Sequence, residues 1–328
     1  MDTFKSFEDS LYSVNEGNFE VIALRLFRFQ AQNNPVYHQY LSFLNCNIDE
    51  IKSLEKIPFL PIGFFKTKLI KTGAWQAEAE FLSSGTTGIT TSQHLVKDIS
   101  FYTRLSENIF EQFYGPCTNY HFLALLPSYL ERKGSSLIVM MNHFINMSKS
   151  SHSGFYLTNH KELAHKLQSL KNDKKRVILW GVSFALLDFA ESGQIDLSNC
   201  IIIETGGMKG RRNELIRRDI HEYLTAQFNV KAIHSEYGMT ELMSQAYSEQ
   251  NGYYQCPPWM KVFVRDINDP FTLVKGRAGA INIIDLANFH SCAFIETQDL
   301  GRIDENGNFE VMGRIDNSDS RGCNLLVE

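Results

Sequence analysis

Short apolar, β-branched runs alternating with helix-length segments are the feature of this chain that most restricts its fold. Residues 121–126, 177–180 and 200–204 each read as a buried strand closed by turn residues. Residues 161–170 have helical spacing and lie between the first two runs, and residues 211–228 follow the third. A run from Val177 to Ala190 reads as a buried strand leading into a helix, because it is shorter than the ~18 residues a membrane-spanning helix needs. Strands that alternate with helices build a largely parallel sheet covered on both faces. The fold class is therefore α/β.

The flanks differ in texture. The first fifty residues read as helical, with Phe19, Ile22, Ala23, Leu26 and Phe27 on one face and a break at Asn34-Pro35. Residues 57–66 carry Pro58 and Pro61 and read as an extended connection bearing aromatics, expected beside the functional site. From Glu80 the pattern is strand, polar loop, then a helix over 100–114 with Leu105, Ile109 and Phe113 on one face. Beyond Gly252, short strands at 262–264, 280–284 and 308–311, with a tight turn at Glu305-Asn306-Gly307-Asn308, suggest a small β subdomain. The expected division is an α/β region over 1–252, a β subdomain over 253–312 and a hinge-like motif with a tail over 313–328.

Composition narrows the function class. Hydrophobic residues at 43% and charged residues at 21% fit a globular chain, and a net charge of −5 argues against a nucleic-acid partner. Cys46, Cys117, Cys200, Cys256, Cys292 and Cys323 are dispersed without a C-x-x-C pair, the pattern of reduced thiols in a cytoplasm. The amino terminus has no basic region followed by an apolar stretch, so neither a secretory signal nor a membrane span is expected.

Two motifs about 150 residues apart carry the chemistry. Ser83-Ser84-Gly85-Thr86-Thr87-Gly88 offers hydroxyls and close-approaching backbone N–H groups for phosphate oxygens, although a plain polar turn would have the same composition. It lacks the Gly-Lys-[Ser/Thr] ending of a nucleotide-hydrolase P-loop. Tyr237-Gly238-Met239-Thr240-Glu241 offers a planar ring, a hydroxyl and a carboxylate, suited to an adenine face, an α-phosphate and Mg²⁺. Thr297-Gln298-Asp299-Leu300-Gly301-Arg302 and Gly313-Arg314-Ile315-Asp316 follow. Asp299 is placed to accept from ribose hydroxyls; its other reading is a hairpin aspartate satisfied by its own backbone.

These four elements, in this order, resemble the adenylate-forming superfamily. Within it the chain looks most like the acyl-protein synthetases of the LuxE family, and more distantly like CoA ligases of the phenylacetate type. The narrower resemblance rests on Pro58-Phe59-Leu60-Pro61 with Phe64-Phe65-Lys66, Leu126-Pro127-Ser128-Tyr129-Leu130-Glu131-Arg132 with Ser135-Ser136-Leu137, Gly206-Gly207-Met208-Lys209, and Arg321-Gly322-Cys323-Asn324-Leu325. It implies a ligase that uses ATP and Mg²⁺ to convert a carboxylic acid, a fatty acid above all, to acyl-AMP and then to a protein thioester. It also implies an acyl reductase as partner. By the same resemblance Ser84, Gly85, Thr86, Thr87 and Gly88 contact phosphates, while Gly206, Gly207 and Met208 line the adenine pocket with Tyr237, Gly238 and Met239. Thr240 holds the α-phosphate, Glu241 the magnesium and Asp299 the ribose, and Arg314 sits at the hinge. Cys323 carries the thioester, its thiolate favoured by Arg321.

The chain departs from the superfamily pattern twice. Thr90-Thr91-Ser92 stands where many relatives have a lysine. Twelve residues follow Asp316, so the mobile domain with its catalytic lysine is expected to be absent, which leaves Lys209, beside Arg211 and Arg212, as a candidate replacement. Two other readings stay open: a CoA ligase whose second domain is a separate chain, and a non-catalytic protein that binds ATP and acyl-AMP. Phe64, Phe65, His121 and Tyr129 are candidate acyl-pocket residues, and His290-Ser291-Cys292 reads as core packing in preference to a metal pair.

Overall fold

The computed structural model describes residues 3–83, 91–127, 134–206 and 217–315. In chain order the helices are α1 (Thr3–Leu11), α2 (Phe19–Asn33), α3 (Pro35–Phe43), α4 (Phe64–Thr67), α5 (Ile99–Tyr114), α6 (Ser136–Met147), α7 (His160–Ser169), α8 (Ser183–Glu191) and α9 (Arg217–Phe228). The strands up to the second motif are β1 (Leu60–Pro61), β2 (Ala79–Leu82), β3 (Gln93–Val96), β4 (Tyr120–Leu125), β5 (Gly154–Tyr156), β6 (Arg176–Val182), β7 (Ile201–Thr205) and β8 (His234–Tyr237). After it come β9 (Ala246–Ser248), β10 (Tyr253–Tyr254), β11 (Met260–Arg265), β12 (Gly279–Asp285), β13 (Phe294–Ile303) and β14 (Phe309–Arg314).

The central sheet runs β5-β4-β6-β7-β8-β9 and is parallel apart from β9. Successive strand side chains point to opposite faces, yet every residue of β4 and β7 is buried. Both faces are therefore covered, as the continuous apolar runs require. Each strand of this type delivers the chain to the same edge of the sheet, so Thr205 at the end of β7 and Tyr237 at the end of β8 emerge side by side.

The helices start where side chains satisfy their first N–H groups. Asp98 accepts from Phe101 N–H at 2.9 Å ahead of α5, and Ser135 accepts from Ile138 N–H at 3.3 Å ahead of α6. Asn34 caps α3 by accepting from Tyr37 N–H, and Pro35 takes the first helical position, where its missing N–H costs nothing.

A second sheet, β10-β14-β13-β12-β11, is antiparallel, and β1 adds to it in parallel with β13 through Leu60 opposite Ile295 and Pro61 opposite Glu296. The connection over 57–66 thus lies along β13, the strand that bears Asp299. The amino-terminal helices are tied to this sheet by buried amides. Gln30 Nε2 donates to the carbonyls of Asn288, Phe289 and Ser291 at 3.1–3.2 Å, while Gln30 Oε1 accepts from Ala293 N–H at 2.9 Å. One apolar core runs through the molecule from Phe7 to Phe309. Among the described residues no helix is long and apolar enough to cross a membrane.

Three features differ from the sequence expectation. Strand β3 lies between the hydroxyl-rich motif and α5 in the chain and pairs antiparallel with β2, Leu82 opposite Gln93, so a second strand precedes the helix. Helix α6 has no counterpart among the expected elements, because Leu137 to Met141 is an unbroken apolar run without visible helical period. Strand β13 is ten residues long and contains the whole of the third motif.

Candidate nucleotide site

The β2–β3 hairpin and the segment after β8 are fastened to each other at the base of the hydroxyl-rich loop. Ser83 N–H donates to the Ser92 carbonyl at 3.0 Å, and Ser92 N–H donates to Ser83 Oγ at 2.8 Å, closing the loop at its foot. From there alternate residues Ser92, His94 and Val96 point inward and are buried. The Ser92 hydroxyl favours the charged form of the Glu241 carboxyl. His94 Nδ1 lies 2.7 Å from the Thr240 carbonyl. A carbonyl only accepts, so Nδ1 carries the proton. Burial brings the His94 ring down to about 4, with the Thr240 hydrogen bond and the nearby Asn288 amide working against that shift.

On the other side the second motif is locked from β12 and its following turn. Asp285 Oδ2 accepts from Met243 and Ser244 N–H at 2.9 and 3.0 Å, and Oδ1 accepts from Ser244 Oγ at 2.7 Å and Ala287 N–H at 3.1 Å. Trp259 Nε1 donates to the same Ser244 hydroxyl at 3.0 Å, and Asn288 Nδ2 donates to the Glu241 carbonyl at 2.7 Å. Sequence reasoning did not single out Asp285, since a carboxylate ending a strand, with partners 41 and 42 residues away, leaves no local signal.

Tyr237, Asp299 and Arg314 converge. The Tyr237 hydroxyl donates to Asp299 Oδ2 at 2.7 Å, and Arg314 Nε donates to Asp299 Oδ1 at 3.0 Å. Asp299 is 5% exposed and its partners are side chains of other elements, so it is not a turn aspartate satisfied by its own backbone. The Tyr237 ring is buried, edge-on to Phe309 at 5.2 Å and tilted against Tyr254 at 5.8 Å. Burial, reinforced by the Asp299 charge, pushes the Tyr237 hydroxyl well above its usual value, so it stays a donor. Glu241 is 5% exposed; burial raises its carboxyl, and the Ser92 hydroxyl and the Arg314 charge offset part of that rise.

Backbone demands explain the glycines. Gly206, at φ 73°, turns the chain off β7 in the left-handed region, and its carbonyl accepts from Ser183 Oγ at 3.1 Å. At Gly238 an added Cβ would sit 2.4 Å from Glu236 Oε1. Met239 is partly buried, with its sulfur 3.1 Å from the Tyr237 hydroxyl.

Of the residues singled out in the sequence, Tyr237, Gly238, Met239, Thr240, Glu241, Asp299, Arg314 and Gly206 fall in one neighbourhood at the strand ends. Ser84, Gly85, Thr86, Thr87, Gly88, Gly207, Met208, Lys209, Tyr129 and Cys323 lie outside the described residues. Phe65 is buried against the His94 ring at 6.0 Å. His121 sits at the opposite end of β4, with Nδ1 2.6 Å from Ser150 Oγ and Nε2 3.1 Å from Asp173, so it does not line this site.

The architecture is that of the adenylate-forming ligases. ATP-bound MatB from Rhodopseudomonas palustris superposes with a TM-score of 0.56 at 18% identity, over 74% of this chain and 49% of that one. A 2-hydroxyisobutyryl-CoA ligase crystallised with 2-HIB-AMP and CoA superposes with a TM-score of 0.69 at 12% identity, over 92% of this chain and 70% of that one. The chain spans about half the length of the MatB structures it matches. Residues 124–328 match the family model "Acyl-protein synthetase, LuxE", and the chain belongs to that family of acid–thiol ligases. A curated relative, the long-chain-fatty-acid–luciferin-component ligase of Aliivibrio fischeri, is 25% identical over 92% of this chain and 85% of its own length.

Proposed function

We propose that this chain uses ATP to activate a carboxylic acid, a fatty acid in the first instance, as acyl-AMP and then passes the acyl group to a cysteine thiol. The observation that carries this reading is the fastening of the hydroxyl-rich loop's foot to the second motif through His94, whose Nδ1 lies 2.7 Å from the Thr240 carbonyl. It brings the strand that follows the hydroxyl-rich loop against the Tyr-Gly-Met-Thr-Glu turn. The fatty-acid class is supported by the name of the Aliivibrio fischeri relative.

In the first step a carboxylate oxygen of the acid attacks the α-phosphorus, an O–P bond forms, and the bond to pyrophosphate breaks. The Ser84–Gly88 loop and Thr240 hold phosphate oxygens as charge gathers on them. Asp299, oriented by Tyr237 and Arg314, faces the ribose. Glu241 suits Mg²⁺, because burial raises its carboxyl, which a bound cation would bring back down, and magnesium is commonly held by one or two carboxylates plus substrate phosphates. Bound there, the ion would neutralise phosphate charge. In the second step the Cys323 thiolate attacks the acyl carbon, the C–S bond forms and AMP leaves. Lys209, two residues beyond Gly207 in sequence, supplies positive charge, and residues 313–328 act as hinge and tail. An acyl reductase then takes the thioester, and the work is done in the cytoplasm, where Cys323 stays a free thiol.

Intact-mass measurement after incubation with ATP, Mg²⁺ and a panel of fatty and aromatic acids tests this. An acyl adduct abolished by Cys323→Ser is the expected result. Acyl-CoA formation with added CoA, undiminished by Cys323→Ser, would establish a CoA ligase instead.

A further inference from the structure

Two carboxylates lie on adjacent strands directly beneath the site, and their surroundings differ. Glu204 on β7 bonds the Ser183 hydroxyl, and both Arg217 Nε and His221 Nε2 come within 3.8 Å of its Oε2. Burial raises its carboxyl, but the nearby His221 ring, the Arg217 charge and the Ser183 hydroxyl outweigh that and bring it below the usual value. Glu236 on β8 is 6% exposed and has no such cation among the described residues. One oxygen accepts from the Thr205 hydroxyl, and the other lies where a side chain at 238 would begin. The groups facing it are Glu204 from β7, Tyr102 from α5, Tyr247 from β9 and Tyr254 from β10.

Thr205 immediately precedes the Gly206 turn, and Gly238 follows the end of β8, where an added Cβ would sit 2.4 Å from Glu236 Oε1. The Glu236 side chain therefore lies against both turns.

We propose that Glu236 is a positioning residue for the nucleotide site: it locks the Thr205-Gly206 turn to the Tyr237-Gly238 turn, and its charge state sets how tightly ATP is held. The inference rests on the ATP reading above and adds a regulation of that site by pH. Burial raises the Glu236 carboxyl to about 7, the Thr205 bond offsets part of that, and the Glu204 charge adds to it. The two carboxylates are thus pushed apart, Glu204 ionised and Glu236 able to keep its proton in mildly acid solution. Above neutrality a second negative charge develops beside Glu204 with no cation against it among the described residues, and repulsion between the two carboxylates strains the strand ends that carry both turns.

ATP binding by the full chain, measured by calorimetry from pH 6 to 8.5 in wild type and Glu236→Gln, tests the proposal. If only the protonated form holds both turns, its fraction falls to about one in thirty at pH 8.5, so wild-type affinity drops by up to about thirtyfold. Glu236→Gln cannot ionise and loses this alkaline limb, whereas the ionisation of ATP itself acts on both proteins alike. Parallel pH curves for the two proteins would overturn the proposal. Melting without nucleotide separates this from failure of the ATP reading. A carboxyl raised on folding contributes stability below its unfolded value that is lost as pH rises toward 7, so Glu236→Gln should gain on wild type between pH 5 and 7.5. Absent ATP binding with that gain intact would sink the nucleotide reading and leave the buried carboxyl as described; absence of the gain would refute the role of Glu236 directly.

Discussion

Asp285→Asn should cost about 3 kcal/mol of stability, and the reason lies in the number of donors that one carboxylate serves. Oδ2 accepts from two backbone N–H groups, those of Met243 and Ser244, and Oδ1 accepts from the Ser244 hydroxyl and Ala287 N–H. An amide has a single acceptor oxygen. Whichever way the substituted amide is turned, its NH₂ group faces two donors, so two hydrogen bonds are lost. Each is worth ~1.5–3 kcal/mol when the acceptor is charged. The lower end applies, because burial raises the Asp285 carboxyl and the ionised form therefore carries a desolvation cost of its own. Urea unfolding at pH 7, with an unchanged denaturant slope, reads the loss directly. ATP affinity should fall in parallel, since Ser244 stands three residues beyond Glu241. A stability change under about 0.5 kcal/mol would mean that the segment after the second motif, and Glu241 with it, is held by something other than Asp285.

Other perturbations follow from the same geometry. Tyr237→Phe removes the hydroxyl from Asp299 and should lower stability by ~2 kcal/mol in denaturant titration, with weaker ATP binding; an unchanged midpoint would show that this bond contributes nothing. Gly238→Ala places a methyl 2.4 Å from Glu236 Oε1, and displacing that tethered carboxyl should cost about 1–3 kcal/mol, read as a lower melting temperature. The His94 ring is depressed from 6.5 to about 4 by burial, so unfolding takes up a proton between those values and stability falls as pH drops from 6.5 to 4, by up to ~3 kcal/mol. His94→Gln should flatten that part of the pH–stability curve, and an unaltered slope would assign the effect to another group.

Much of the fold is legible in the sequence because its signals are local. Cys200 to Glu204 and Val177 to Trp180 are dominated by apolar residues, which is what burial on two faces demands, and both runs fall on strands of the parallel sheet. Asn34-Pro35 marks a helix boundary through a cap and a fixed φ, both of which are properties of neighbours in sequence. Strand β3 escapes notice because its four residues alternate only twice, and its identity as a strand comes from pairing with β2 across the loop. His121 is a pocket candidate on composition alone; strand direction puts it at the far end of the sheet. Within the site, Tyr237, Thr240, Glu241 and Asp299 are readable from motif chemistry, whereas the groups that hold them are not. His94, Asp285 and Glu236 act through partners as much as 146 residues distant, and such partnerships exist only after the chain has folded.

The most direct measurement is exchange of radiolabelled pyrophosphate into ATP by the purified chain with Mg²⁺ and a series of carboxylic acids. Exchange that depends on the acid, persists in Cys323→Ser and collapses in Glu241→Gln is the predicted result, because adenylation precedes the thiol step and is reversible. Measurable ATP binding with no acid-dependent exchange across long-chain, short-chain and aromatic acids would contradict acid activation at this site.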